Sequence, residues 1–146
     1  MDLEGFGYLP HTLLRHDLID RGGANAQHLL QKLASINPTQ VATSIISHEE
    51  QMRGWLSYAA KAQTIEQQVK AYKELKRQLT NYCTIPIIDF SEQAAQEFQR
   101  LKKLYPRLGT MDLKIASVVM VNQAVLLTRN SSDFGKIVGL PVEDWT

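Results

Sequence analysis

The sequence predicts an α/β fold, a three-layer α/β/α sandwich around a central, mainly parallel sheet. Short runs rich in β-branched residues alternate along the chain with longer helical stretches. Strands joined by such crossover helices pair in parallel, and the helices cover both faces of the sheet. The length of 146 residues fits one domain with its own core, so we expect a single domain over 1–146.

The amino-terminal half is predicted to contain a helix, a strand and a helical hairpin. The first helix is expected over 26–36, where leucines recur at helical spacing, and Pro38 follows its end. The short run 41–46 is rich in β-branched residues and is expected to be a strand. The stretch 47–79 is expected to form two helices, with Gly54 and 62–64 as the favoured places for the break.

The carboxy-terminal half is predicted to repeat the alternation of strand and helix. A strand is expected over 84–88, where Pro86 indicates a sheet edge or a strand end. Ser91 is expected to cap a helix over 92–105. Asp112 opens another helix, whose apolar residues recur at the spacing of a buried face. The remaining predicted elements are a strand over 124–128 and a turn over 130–133.

Composition restricts the class of protein. Hydrophobic residues make up 44% and charged residues 21%, the balance of a globular protein. The sequence shows no apolar run long enough for a membrane span and no secretory signal pattern, so we expect a cytoplasmic protein with a single, unpaired Cys83. A net charge of +1 argues against binding of nucleic acid by bulk charge, but a local basic strip or a metal-mediated phosphate contact stays open.

Three acidic side chains and one amide fall where a parallel sheet presents its ligand-binding edge. Glu50 is expected in the first turn of the helix after the predicted strand 41–46, and Asn130 and Asp133 follow the strand 124–128. The carboxyl ends of parallel strands line one edge, where ligands bind. Asp112 reaches this edge only if its helix begins there. Clustered carboxylates repel each other unless a hard cation such as Mg²⁺ or Mn²⁺ neutralises them, and such a cation can activate water for attack on a phosphate.

Each of these residues also has a purely structural interpretation. Ser47 and Glu50 fit a capping box, in which the glutamate only closes the helix start. Asp112 in a first turn suits the helix dipole, and Asn130 and Asp133 are ordinary turn residues. Taken singly, the structural interpretation is favoured in each case. Only the occurrence of all four residues at one predicted edge of the sheet indicates a functional site.

The predicted hairpin carries two further surfaces with alternative interpretations. A run of basic residues at near-helical spacing is either a solvated helix face or a shallow RNA-contact strip; its members are Lys70, Lys73, Lys76 and Arg77. The hairpin also holds more large apolar and aromatic side chains than a two-helix projection can readily bury, so we expect it to contact another protein.

Three stretches of the sequence resemble a known family. The run 109–116, with Asp112 followed by Ile115 and Ala116, precedes an apolar strand, which is followed by Thr128-Arg129-Asn130 and then by Asp133. This pattern is similar to the carboxy-terminal half of PIN-domain ribonucleases of the VapC toxin type. The run 45–50 is similar to the family's second acidic motif, with Glu50 as the acid, and 139–145 is similar to its tail.

The resemblance covers roughly 21–146 and carries several implications. It implies a PIN-like α/β/α fold, a Mg²⁺- or Mn²⁺-dependent endoribonuclease acting on RNA, a cognate antitoxin partner and a homodimer. By motif match, Glu50 and Asp112 are metal-site acids and catalytic residues. Asn130 and Asp133 complete the catalytic site, with Asp133 as a further metal ligand.

The segment 1–20 departs from the family pattern. The family begins with an apolar strand that ends in Asp followed by Thr or Ser, whereas the stretch 7–20 contains Pro10, expected to interrupt any strand, and no such pair. Asp17 is the candidate replacement for the missing metal ligand, and Asp20 is the other nearby acid. Three hypotheses follow: a metal-dependent ribonuclease impaired by this segment, a non-catalytic PIN-like binding module, or an unrelated α/β domain.

Overall fold

The computed structural model describes residues 8–10, 31, 41–128 and 131–144. Its strands are β1 (Tyr8–Pro10), β2 (Thr43–Ser44), β3 (Ile87–Ile88), β4 (Val125–Leu127) and β5 (Val142–Glu143). Its helices are α1 (Ile45–Lys61), α2 (Ile65–Cys83), α3 (Glu92–Leu104), α4 (Thr110–Val121) and α5 (Ser131–Phe134). The predicted helix over 26–36 lies outside the described residues except for Gln31, which is helical.

All strand pairs in the described residues are parallel, as predicted. One sheet has the order β1-β4-β5 and a second sheet pairs β2 with β3. Strand β1 also contacts β2, so the two sheets adjoin. Strand and helix alternate along the described chain, which confirms the α/β class. The three-layer arrangement stays a prediction.

Strand β1 corrects the prediction that Pro10 interrupts any strand. Pro10 is the last residue of β1, with Leu127 as its partner across the ladder. Proline has no backbone N–H to donate to the neighbouring strand. At the end of a strand this removes only one possible hydrogen bond, and the residue pairs before it are unaffected.

The start of α1 corrects a second prediction. Strand β2 covers only Thr43–Ser44, and the helix begins at Ile45 because Ser44 is its N-cap. The Ser44 hydroxyl accepts a hydrogen bond of 3.0 Å from the Ser47 backbone N–H. The β-branched pair Ile45 and Ile46, assigned from sequence to the strand, forms the first helical turn. Tertiary packing and the cap outweigh local β propensity here.

Helix α4 lies at the centre of the hydrophobic core and packs against α3, α1 and β4. Six of its twelve residues are buried, so the core surrounds the helix on more than one face. The core also takes residues from the other elements: Ala42, Ile46, Ile88, Ala94, Leu101, Leu126, Phe134 and Ile137. This packing holds α4 rigidly relative to the sheet.

Helices α1 and α2 form the predicted hairpin, with the break at 62–64 and none at Gly54. Thr64 caps α2 in a full capping box with Gln67, whose Oε1 accepts from the Thr64 backbone N–H at 3.2 Å. The outer side of α2 leaves Ile65, Tyr72 and Leu79 largely exposed. None of the helices in the described ranges is both long and apolar enough to cross a membrane.

Candidate metal and nuclease site

The amino terminus of α4 lies at the carboxyl edge of the β1-β4-β5 sheet. Only residues 122–124 join α4 to β4, in a tight connection where Gln123 has φ 51° and the Ala124 N–H donates to the Val119 carbonyl at 3.1 Å. The helix therefore runs back along β4 and begins near the end at which β4 stops. The sequence alone left open whether the helix that carries Asp112 begins at this edge of the sheet, and in the structure it does.

Asp112 and Asp133 lie in the same neighbourhood at this edge. Asp133 lines one cavity together with Gly109, the N-cap of α4. Asp112 turns its carboxylate towards Gly109, since its Oδ2 lies 3.7 Å from the point where a Cβ on that glycine would sit. Both aspartates are partly buried. Asp133 thus lines the cavity directly, and Asp112 is related to it through Gly109.

Glu50 lies on α1, which follows β2 directly and packs against α4. It is in the second helical turn, and the first turn of α1 holds no acid. The capping-box interpretation of Ser47 and Glu50 is therefore wrong, because Ser44 is the cap. One Glu50 oxygen, Oε1, is buried. The assignment of Glu50 as a metal ligand stays a prediction.

Asp112 keeps its structural interpretation alongside the functional one. Gly109 offers no side chain to cap α4, and Asp112 is the only acid in the first turn of that helix. A carboxylate there stabilises the exposed N–H groups and the helix dipole by about 0.3–1 kcal/mol. The same position presents a carboxylate to the sheet edge, so the two roles are compatible.

Asp133 lies in the single-turn helix α5 where the sequence predicted a turn. The ammonium of Lys136 is 3.7 Å from Asp133 Oδ1, and both side chains are substantially exposed. Phe134, beside it in the chain, is fully buried and fixes the turn against the core. Asp133 is thus a partly exposed acid on a well-packed segment.

The acidic side chains of the described residues offer the type of ligand atom that a hard cation prefers, but too few of them lie together. Carboxylate oxygens are the ligands that Mg²⁺ and Mn²⁺ prefer. Within the described ranges, however, no three His, Cys, Asp or Glu side chains group closely enough to hold a metal ion. Glu50, Asp112 and Asp133 therefore do not form a complete site among themselves, and their assignment as ligands stays a prediction.

The other predicted site residues, Asn130 and Asp17, lie outside the described residues. The end of β1 nevertheless locates the place of the missing acid in the sequence. In the family pattern the first strand ends in the acid, whereas β1 ends in Pro10, which His11 and Thr12 follow in the sequence. No carboxylate stands at that position in the sequence.

Sequence reasoning missed the basic side chains around this edge. Arg107 and Lys136 line the cavity that Asp133 and Gly109 share. No motif distinguishes them, since both are single charges in short connections and only the fold brings them together. The ring of His48, a residue next to Glu49 in the sequence, packs against Tyr82 with centroids 4.5 Å apart.

Comparison with known proteins gives matches among solved structures. No family model and no curated protein sequence matches the chain. A chain of the VapBC2 complex of Rickettsia felis, bound to a DNA fragment from its promoter, is 26% identical with a TM-score of 0.69, over 95% of this chain and 98% of that one. A toxin–antitoxin complex from Klebsiella pneumoniae is also 26% identical, with a TM-score of 0.66 and the same coverage.

A DNA-bound VapBC complex from Salmonella typhimurium has a higher TM-score, 0.77, at 20% identity over 97% of this chain and 99% of that one. At that identity the likeness shows the fold alone. Together these matches exclude the hypothesis of an unrelated α/β domain, because the likeness extends over nearly the whole length of each chain. They confirm the resemblance carried by the sequence motifs: this chain has the PIN-type α/β fold of the VapC-type toxins.

Proposed function

We propose that this chain is the toxin component of a toxin–antitoxin pair, with a PIN-like three-layer α/β/α fold and a metal-dependent endoribonuclease site. The observation that supports this most strongly is that Gly109, towards which the Asp112 carboxylate turns, lines one cavity with Asp133. Glu50, on the helix packed against α4, is the third proposed acid. The proposed substrate is RNA and the proposed location is the cytoplasm.

The roles of the residues follow from their positions. A Mg²⁺ or Mn²⁺ ion at such a site would polarise the phosphate and supply activated water. Glu50 and Asp112 would hold the ion through carboxylates fixed by two helices packed together. Asp133, on a short turn, would complete the ligands or orient water, with Asn130 beside it in the sequence. A core-packed framework limits the reorganisation that a nuclease site needs.

The proposed activity is impaired relative to family members that keep the first acid. A strand-end aspartate is fixed by the sheet, whereas the residue after β1 here is His11. Asp17 is seven positions beyond the end of β1, so it is a poor replacement for a ligand fixed at the strand end. Weak cation binding and slow RNA cleavage are the expected consequences.

The proposed partner is a cognate antitoxin, and the proposed assembly includes a homodimer. VapBC complexes from several bacteria match over most of the chain, some of them bound to DNA. The exposed apolar side chains of α2 support a protein contact, since such patches mark interaction surfaces on small proteins. A contact through these apolar side chains does not require a basic surface on the protein.

The test is Mn²⁺-dependent cleavage of RNA by the purified chain and by Asp112→Asn. We expect slow cleavage by the chain as given and a further loss of about 100-fold or more in the variant. The matched control is Asp89→Asn, an exposed acid that also follows a strand but lines a cavity with Val121 and Asn122 at the other end of α4. Equal losses in both variants would contradict the assignment.

The alternative function is a non-catalytic PIN-like binding module. It is favoured by one observation, the lack of three convergent metal-binding side chains in the described residues. A titration with Mn²⁺ separates the two functions. Cation binding that Asp112→Asn abolishes supports the nuclease, whereas capture of a co-encoded antitoxin without any cation binding supports the module.

A further inference from the structure

A cavity of about 400 Å³ opens beside the proposed nuclease site. The connection 105–109 between α3 and α4 forms one wall, and Asp133 and Lys136 form the other. This volume lies in the range of roughly 300–1,000 Å³ typical of small-ligand sites. Because Gly109 and Asp133 belong to its lining, a ligand in the cavity would lie next to the proposed acids.

The two walls of the cavity are joined by hydrogen bonds, so the cavity is formed before a ligand binds. The Val138 backbone N–H donates to the Tyr105 hydroxyl at 2.9 Å, which links the segment after α5 to the end of α3. The Leu108 N–H donates to the Tyr105 carbonyl at 3.2 Å and closes the connection into a turn. Binding to a preformed cavity avoids much of the ordering cost.

The charges of the cavity suit an anionic ligand. Arg107 and Lys136 are both exposed at its lining, and a guanidinium presents paired donors that match phosphate oxygens. Lys136 contacts Asp133 only at 3.7 Å, a weak surface pair that leaves its ammonium able to bind another anion. A cation held by Asp133 would weaken this pair further.

We infer that this cavity binds one nucleotide of single-stranded RNA next to the cleaved phosphodiester, with Arg107 and Lys136 holding its phosphate. The inference rests on the proposed function for the identity of the nucleic acid. A cavity of this size admits one unstacked nucleotide but not a base-paired duplex, so the substrate class is an unpaired RNA segment. The remaining lining, from Leu104 to Leu108, offers apolar surface to a base or sugar.

The test measures binding of a fluorescently labelled, short, single-stranded oligoribonucleotide in EDTA, where no cleavage occurs. We expect Arg107→Ala and Lys136→Ala each to weaken binding about fivefold at about 0.1 M salt. Each should also lower the slope of log affinity against log salt by about 0.7, the value for one phosphate contact on a single strand. The RNA duplex of the same sequence should bind at least tenfold more weakly.

Lys61→Ala, an equal loss of charge at the hairpin tip, is the control and should change neither affinity nor slope. Unchanged slopes in Arg107→Ala and Lys136→Ala would overturn the inference. It would also be overturned if Lys73→Ala and Lys76→Ala on α2 abolished binding while the cavity variants did not, because RNA would then lie on the hairpin. Duplex binding equal to single-strand binding would exclude the unpaired substrate.

Measuring without divalent cations separates this inference from the proposed function. Single-strand binding that depends on Arg107, without cleavage when Mn²⁺ is added, would support the cavity and contradict the nuclease. Mn²⁺-dependent cleavage that Asp112→Asn abolishes, with affinity and salt slope unaffected by Arg107→Ala and Lys136→Ala, would support the nuclease and contradict the cavity.

Discussion

Helices α4 and α2 have nearly opposite environments although both are regular helices in one small protein. Six of the twelve residues of α4 are buried, against three of the nineteen residues of α2. The core surrounds α4, whereas α2 touches the molecule along one face and leaves Ile65 76% exposed and Tyr72 67% exposed. The apolar side chains of α4 stabilise the fold, and those of α2 remain available for another surface.

This difference assigns separate roles to the two helices: α4 positions a proposed site residue, and α2 offers a surface for contact with another protein. Asp112 stands in the first turn of the helix that supplies the most residues to the core and that packs against β4. The exposed stripe of α2, comprising Ile65, Val69, Tyr72 and Leu79, contributes little to the core and supports the proposed protein contact. Stability and association should therefore respond to different helices.

The largest expected effect is on stability. Leu113→Ala, at a position 1% exposed in α4, should lower the free energy of unfolding by about 2–5 kcal/mol, because it leaves a cavity in the core. The matched change Leu79→Ala, at a position 61% exposed in α2, should cost no more than about 0.5 kcal/mol in the isolated chain. Urea unfolding measures both. Similar losses would show that α2 is as much a part of the core as α4.

The next effect is on association. We expect a solution mass above that of the monomer, or binding of a co-encoded small protein. Val69→Ser combined with Tyr72→Ser should weaken that contact about tenfold or more, since a central aromatic side chain often dominates an interface. Val138→Ser, at an exposed apolar position away from α2, is the control. A monomeric mass together with no partner binding would rule out a contact role for the stripe.

The smallest effect concerns the helix caps of the two regions. The Ser44 cap is buried and its hydroxyl lies 3.1 Å from that of Ser47, whereas the Thr64 cap of α2 is exposed. Ser44→Ala should cost about 1–2 kcal/mol and Thr64→Ala about 0.5–1 kcal/mol, because loss of the buried cap also leaves a buried donor unsatisfied. Thermal unfolding of both variants checks the order. A reversed order would mean that α1 starts elsewhere.

Helices were more predictable from this sequence than strands. Ser91, the break at 62–64 and the apolar spacing of α4 all act locally, so α3, the hairpin and α4 appear where the sequence indicates. Strands β1 and β5 depend on distant pairing, as in the hydrogen bond from the Leu126 N–H to the Pro141 carbonyl. Only the fold supplies these partners. Local β propensity also misled, since it assigned Ile45 and Ile46 to a strand.

The candidate site was predictable in its residue types and only partly in its geometry. Motif spacing selected Asp112 and Asp133; Asp133 lines a cavity with Gly109, and the Asp112 carboxylate turns towards that glycine. The capping interpretation of Glu50 failed because the cap lies three residues earlier than Ser47. Arg107 and Lys136 could not be predicted, because nothing local relates two single charges that tertiary packing brings to one cavity.

The central claim is that this edge is a metal-dependent nuclease site weakened by the lack of an acid after β1. The most direct measurement compares Mn²⁺ affinity and RNA cleavage of the chain as given with those of Pro10→Leu combined with His11→Asp, which places Asp before Thr12. We predict that the change raises both quantities about tenfold or more, and that adding Asp112→Asn cancels the gain. Rapid Mn²⁺-dependent cleavage by the unaltered chain, lost in Asp112→Asn, would contradict the account by showing that another residue already completes the site.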